Sequence, residues 1–205
     1  MYRSRLVQVL PQNHPKGGNP EDDTGRPVNE SAKALVVYFS VPDNLDNSYV
    51  EVDGERLGNT QYMAYVIQET VGADIFRIEP ETPYPTDHDK LVDLAKEEQN
   101  DNARPKIKDM IENFDTYENI FVGYPNWWGD MPMILYTFLD DYDFSGKTIA
   151  PFVTSGGSGF SSTISAIESL EPDATVVDGL SLSSSAAAEP SDEVTEWLSS
   201  AGLTE

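Results

Sequence analysis

Two tryptophans stand side by side in Tyr124-Pro125-Asn126-Trp127-Trp128-Gly129-Asp130-Met131-Pro132. Indole offers a broad apolar face, a surface suited to a flat aromatic ligand. The apolar run Ile120-Phe121-Val122-Gly123 before the pair reads as a buried strand, and Met133 to Leu139 after it reads as a helix. The pair therefore sits in a strand-to-helix loop. Such loops, at the carboxyl ends of parallel strands, are where open α/β sheets bind ligands. Proline and glycine fix the loop backbone. Adjacent side chains in a loop do not readily enter one core together, so at least one indole is expected to be exposed or covered by something flat. The competing expectation is that both serve the core or an interface.

Two further loops carry suitable chemistry. Ser40 follows a first strand, and Gly58-Asn59-Thr60 opens a helix. Hydroxyls, an amide and free N–H groups at a helix start make an anion cradle, helped by the helix dipole. It contains no Lys or Arg, so a phosphate there would be held by neutral donors. Simple capping by Asn59 or Thr60 would account for the same residues. The third loop, Thr154-Ser155-Gly156-Gly157-Ser158-Gly159, has small residues and accessible N–H groups that let a planar ring approach the backbone. A tight strand-to-helix turn is its plainer explanation. Gly156 to Phe160 matches only part of a nucleophile elbow, and no His has a place beside it, which argues against a hydrolase. The chain lacks dinucleotide-type and Walker glycine motifs, although NAD(P)H could still bind transiently.

The elements that must position these loops alternate along the chain. Ala34 to Phe39 is a continuous apolar run, as in a central parallel strand. A helix from Gly58-Asn59-Thr60 carries a stripe of Tyr62, Met63, Val66 and Ile67 and ends at Gly72. Ala73 to Ile78 alternates as a second strand, and 89–102 reads as a charged helix with Leu91, Leu94 and Ala95 inward. A short helix is expected after Pro105. The third strand is 118–123 with a helix at about 131–141, and Lys147 to Val153 is the fourth strand. A helix at 160–170, beginning near Phe160, presents Ile164, Ile167 and Leu170 inward. Ala174 to Leu182 is the fifth strand, and Ser191 caps a last helix bearing Val194, Trp197 and Leu198. Strict alternation demands right-handed crossovers, hence an α/β, doubly wound five-stranded parallel sheet of order 2-1-3-4-5. One segment, 41–57, is too long for a strand-to-helix loop. Its Asp53-Gly54, between alternating residues, predicts an inserted β-hairpin, either decoration or one wall of a site. Residues 1–31, rich in Pro, Gly, Asn and charge, read as an arm or tail before a domain at 32–205. The sequence leaves open whether the arm docks on that domain or on a second subunit, and so leaves a homodimer open.

Composition limits the partners. The 205 residues suffice for one domain with a core. There is no cysteine, which removes disulfides, thiolate metal sites and Cys nucleophiles, and His14 and His88 are too few and too far apart in sequence to suggest a metal centre. The net charge is −23, from 36 acidic and 13 basic residues, and the arm contributes none of it. Such a surface repels nucleic acid and anionic lipid, and could steer a basic redox protein or simply keep the chain soluble. No apolar run reaches membrane length, and the first ten residues make no signal segment, so a cytoplasmic location is expected.

Taken together, YFS at 38–40, GNTQYMA at 58–64, GYPNWWGDMP at 123–132, FLDDYDFSGKTIAPF at 138–152 and SGGSGFS at 155–161 resemble the flavodoxin-like flavoproteins with a Trp-Trp-Gly ring loop. The resemblance covers about 32–203. It implies non-covalent FMN, with the phosphate on Ser40, Gly58, Asn59 and Thr60. The isoalloxazine would lie against Pro125, Asn126, Trp127, Trp128 and Gly129 on one side. Ser155, Gly156, Gly157 and Gly159 would be on the other. Asn126 and Gly129 are expected to act through their backbones, and a Trp to cover a ring face. The implied activity is oxidoreductase: electrons or hydride passed through FMN to a small acceptor such as a quinone. The alternative is a non-enzymatic electron carrier between protein partners. Two departures stand out. A hairpin separates the first strand from the phosphate loop, and Ser155 occupies a loop where relatives often place a His, so a proton would need another donor or water. Surrounding negative charge opposes adding charge to the reduced cofactor and lowers its potential.

Overall fold

The structure is a computed structural model that describes residues 34–41, 48–183, 187 and 191–203. The expected arm at 1–31 and the cap at Ser191 lie outside the described residues and side chains.

The central sheet is built from β1 (Ala34–Phe39), β4 (Asp74–Ile78), β5 (Asn119–Pro125), β6 (Thr148–Ser155), β7 (Thr175–Val176) and β8 (Leu180–Ser183). Its order is β4-β1-β5-β6-β7, with β8 also on β6, and every pairing is parallel. Because β7 and β8 are two pieces of one predicted strand, this is the expected order 2-1-3-4-5. Alternation sets the two faces. Leu35, Val37 and Phe39 of β1 face one cluster with α2 (His88–Asn100), α3 (Met133–Asp141) and α4 (Thr163–Leu170). Val36 and Tyr38 face the other, with α1 (Asn59–Val71) and α5 (Ser191–Ser200). Each large apolar side chain buried in these layers contributes roughly 1.5–3 kcal/mol.

The inserted hairpin is present. β2 (Tyr49–Val52) pairs antiparallel with β3 (Glu55–Gly58), and Asp53 and Gly54 turn it with φ of 52° and 83°. Positive φ at both central residues suits the right-handed twist of the flanking strands. β3 runs straight into α1, so the hairpin delivers the chain to the helix start. Gly72 closes α1 with φ 66°.

Three expectations need correction. The fifth strand is not continuous but split at 177–179. The N–H groups of Thr175 and Val177 donate to the carbonyls of Lys147 and Ile149, so alternate residues of β6 face this strand. Pro151 is the next residue in that alternation and has no N–H to give, and the ladder lapses there. No α-helix follows directly on Pro105. The segment instead makes a single bridge between Ile107 and Pro80 and a 3₁₀ turn at Phe114–Thr116. Its backbone is satisfied by side chains: Thr137 Oγ1 donates to Pro105 O, and Lys147 Nζ to the carbonyls of Asp115 and Tyr117. Finally, the helix expected at 160–170 begins at Thr163. Phe160 lies in the preceding turn, its ring against Gly179, where a Cβ would stand only 2.4 Å from it.

Candidate functional site

A cavity of about 420 Å3 opens at the carboxyl edge of the sheet, within the range of small-molecule sites. At the sheet end it is lined by Ser40, Ser48, Gly58, Asn59 and Thr60, with Thr154, Ser155 and Gly156. Pro125, Asn126, Trp127 and Trp128 form its middle. His88, Leu91, Val92 and Ala95 of α2 form a wall. Since α1 and α2 pack on opposite faces, the cavity runs across the edge from one layer to the other.

The start of α1 is not capped by Asn59 or Thr60. Gly58 holds the cap position with φ −58° and ψ 147°, and no side chain caps the helix. The N–H of Asn59 donates to the carbonyl of Ser48 at 3.1 Å, tying the hairpin to the helix start. The hairpin thus contributes a wall. Asn59 is only 3% exposed, yet its Oδ1 has no hydrogen-bond partner. An orphaned buried amide oxygen facing a cavity is what a ligand's hydroxyl or N–H donor would satisfy. The hydroxyls of Thr60 and Thr154 share a hydrogen bond of 2.7 Å that joins the first and third loops. No Lys or Arg lines this end among the described residues. Arg77 stands behind it: its Nη2 donates to the carbonyl of Ser40 at 3.3 Å, and its Nη1 lies 3.5 Å from Glu79.

The tryptophans part company. Trp127 turns inward, edge-on to Phe39 and Tyr84 with ring centroids 5.5 and 5.7 Å away. Trp128 is 53% exposed. Trp127 and Asp130 exchange both backbone hydrogen bonds around Trp128 and Gly129, whose φ values are 54° and 79°. A bulky residue in the left-handed region costs about 1–2 kcal/mol, a strain that concentrates at functional sites. The indole Nε1 of Trp128 donates to Val92 O at 3.2 Å, and Lys96 Nζ lies 5.2 Å from the ring centroid. The ring loop is therefore pinned to α2.

Asn126 clamps the loops. Its Oδ1 accepts the N–H of Gly129 at 3.0 Å, its Nδ2 donates to Gly159 O at 2.8 Å, and its own N–H donates to Thr154 O at 2.9 Å. The backbone N–H groups of Asn126 and Gly129 are thus engaged within the protein and are not offered to a ligand. The third loop is also more closed than expected. Ser155 Oγ accepts the N–H groups of Gly157 and Gly159 at 3.2 and 3.0 Å. Those two donors point at Ser155, not at a ring.

Of the residues expected at the site, Ser40, Gly58, Asn59, Thr60, Pro125, Asn126, Trp127, Trp128, Ser155 and Gly156 line the cavity. Gly129, Gly157 and Gly159 do not. They shape the loops from behind. The α2 wall was missed. Its signal was the spacing 88, 91, 92, 95, a helical face read only for its buried Leu91 and Ala95. Tyr84 hydrogen-bonds Glu98 at 2.9 Å under Trp127. Burial, with that carboxylate adjacent, raises the Tyr84 phenol far above its ordinary range, so it stays a neutral donor.

A family model described as Flavodoxin matches residues 52–201. The solved structure of a protein described as a flavoprotein from Bacteroides eggerthii is 30% identical, with a TM-score of 0.69 over 84% of this chain and 99% of that one. A similarly described protein from Bacteroides uniformis is 26% identical, with a TM-score of 0.64 over 82% and 98%. A flavoprotein from Lactobacillus acidophilus in complex with FMN is 24% identical, with a TM-score of 0.58 over 82% and 99%, and shares the fold. No curated protein matches the chain.

Proposed function

The chain belongs to the flavodoxin family, and on that premise we propose that it binds FMN non-covalently in this cavity and passes electrons or hydride to a small acceptor such as a quinone. The observation that carries the reading is the start of α1 on the cavity wall: it has no side-chain cap, so backbone N–H groups there are open to a phosphate, and the buried, unpartnered Oδ1 of Asn59 beside it is an acceptor that a ribityl hydroxyl of FMN would satisfy. The neutral donors of the first loop, with Ser40 and Thr60, would hold the phosphate. Pro125 to Trp128 and Ser155-Gly156 would flank the ring. FMN supplies the redox chemistry, and the protein binds, orients and shields it. Asn126 keeps the two flanking loops at a fixed separation, and Trp127, backed by Phe39 and Tyr84, gives the cavity a dry apolar side.

A small acceptor is favoured over a protein partner by the lining itself. Among the described residues no Asp or Glu lines the cavity, and the apolar α2 wall extends it beyond the phosphate loop. A bare edge ringed by carboxylates would have favoured a carrier docking a basic redox protein. The test is direct. The purified protein should be yellow and release one FMN per chain on denaturation, whereas a colourless protein that takes up no added FMN defeats the proposal. Stopped-flow mixing with NADH or NADPH then separates the two roles, since rapid direct reduction is not expected of a pure shuttle.

A further inference from the structure

We propose that the α2 wall is an acceptor subsite and that His88 is its specificity residue, donating a hydrogen bond to the oxygen of a planar aromatic acceptor of the quinone class. This rests on FMN occupying the rest of the cavity. Three observations converge. His88, Leu91, Val92 and Ala95 follow the spacing i, i+3, i+4, i+7, one face of a helix, and all four line the cavity. The face is apolar apart from the imidazole, so it offers a flat hydrocarbon ring a surface and gives its edge one polar contact. Among the described residues His88 is the single ionisable side chain on the lining.

The wall is also held in place against the ring loop. Trp128 Nε1 donates to the carbonyl of Val92, and Lys96 stands over the same indole. The helix start is fixed too, because the Asp87 carboxylate accepts the N–H of Lys90 at 3.1 Å. His88 itself is exposed in the first turn of α2, free to meet a molecule entering from solvent. Near the ring loops the Asn126 amide is engaged at both ends, and Ser155 Oγ accepts two glycine N–H groups, which leaves its single O–H as a donor. His88 is the polar side chain that the α2 wall itself brings to the lining, and so the one set to meet the oxygen of a ring lying on that wall.

The test uses FMN-loaded protein and two probes, 1,4-naphthoquinone and 2-methylnaphthalene, followed by quenching of tryptophan fluorescence. His88→Leu should weaken naphthoquinone binding about 5- to 10-fold, the size of one hydrogen bond. His88→Gln, which keeps a donor, should stay within about 2-fold of the parent. Neither variant should change the affinity for FMN or for methylnaphthalene, which has no oxygen to recognise. Naphthoquinone bound equally well by His88→Leu overturns the assignment of His88 while FMN binding stands. Equal losses for both probes would reduce His88 to packing and also overturn it. A parent protein that binds no FMN removes the premise and the subsite together.

Discussion

Asn59 and Asn126 carry the same amide to opposite ends. Asn126 uses every arm of it inside the protein, bridging Gly129 and Gly159. Asn59 keeps its Oδ1 unpaired although it is buried. Removing a bridging amide strands its partners, whereas removing an unpaired amide oxygen strands no donor. Asn126→Ala is therefore expected to destabilise the protein without ligand by about 1–3 kcal/mol, read as a lower melting temperature. Asn59→Ala should leave melting without ligand unchanged or slightly raised, yet weaken FMN binding about tenfold or more, the loss of a good polar contact. The two asparagines were both named from sequence, but their division of labour was not legible there. It depends on where the loop carbonyls fall, and no local pattern encodes that. The same holds for the tryptophans. That one would be outside followed from their adjacency; which one followed only from the turn, with Trp128 at φ 54°.

At the scale of elements, strands and helices were legible wherever periodicity or a turn dipeptide recorded a local rule. Asp53-Gly54 located the hairpin, and Gly72 located the end of α1. What escaped was set by neighbours. Pro151 was visible in the fourth strand, but the damage falls on the fifth, because the missing N–H faces that side. The helix expected after Pro105 fails because Thr137 and Lys147, both distant in sequence, satisfy that segment's carbonyls instead. Gly123 is a further case. It reads as a weak point in a central strand, yet a Cβ there would lie 2.0 Å from the ring of Phe152, its register partner on β6. Gly123→Ala should cost about 1–3 kcal/mol through overpacking and lower the melting temperature by roughly 3–10 °C. A second substitution, Phe152→Leu, should recover part of that loss, which a purely backbone effect would not allow.

For the whole molecule, the charge of −23 leaves few cations to offset its acids. Glu171, at the opposite end of the sheet from the cavity, shows the consequence. Partial burial and the neighbouring carboxylates of Asp140 and Asp143 raise it to about 7. A raised carboxyl binds its proton more tightly in the folded state than in the unfolded chain. Its stabilising contribution is therefore full below about pH 4.5 and is lost as pH rises through 7. Glu171→Gln should raise the melting temperature at pH 8 by about 1–3 °C, since solvent screens much of the effect, and leave it unchanged near pH 4.5. A rise that also appears at pH 4.5 would point to packing rather than charge. No helix among the described residues is long and apolar enough to cross a membrane. The same negative field should hold the potential of a bound flavin below that of the free cofactor, and more so at low salt; a potentiometric titration at two salt concentrations checks this.

The central claim is that an uncapped helix start with neutral donors grips a phosphorylated flavin. Calorimetric titration of the protein, freed of ligand, with FMN and with riboflavin tests it most directly, because the two differ only in the phosphate. FMN binding at one per chain, at least tenfold tighter than riboflavin, is the expected result. Equal affinity for the two, or no heat with either, would contradict the account.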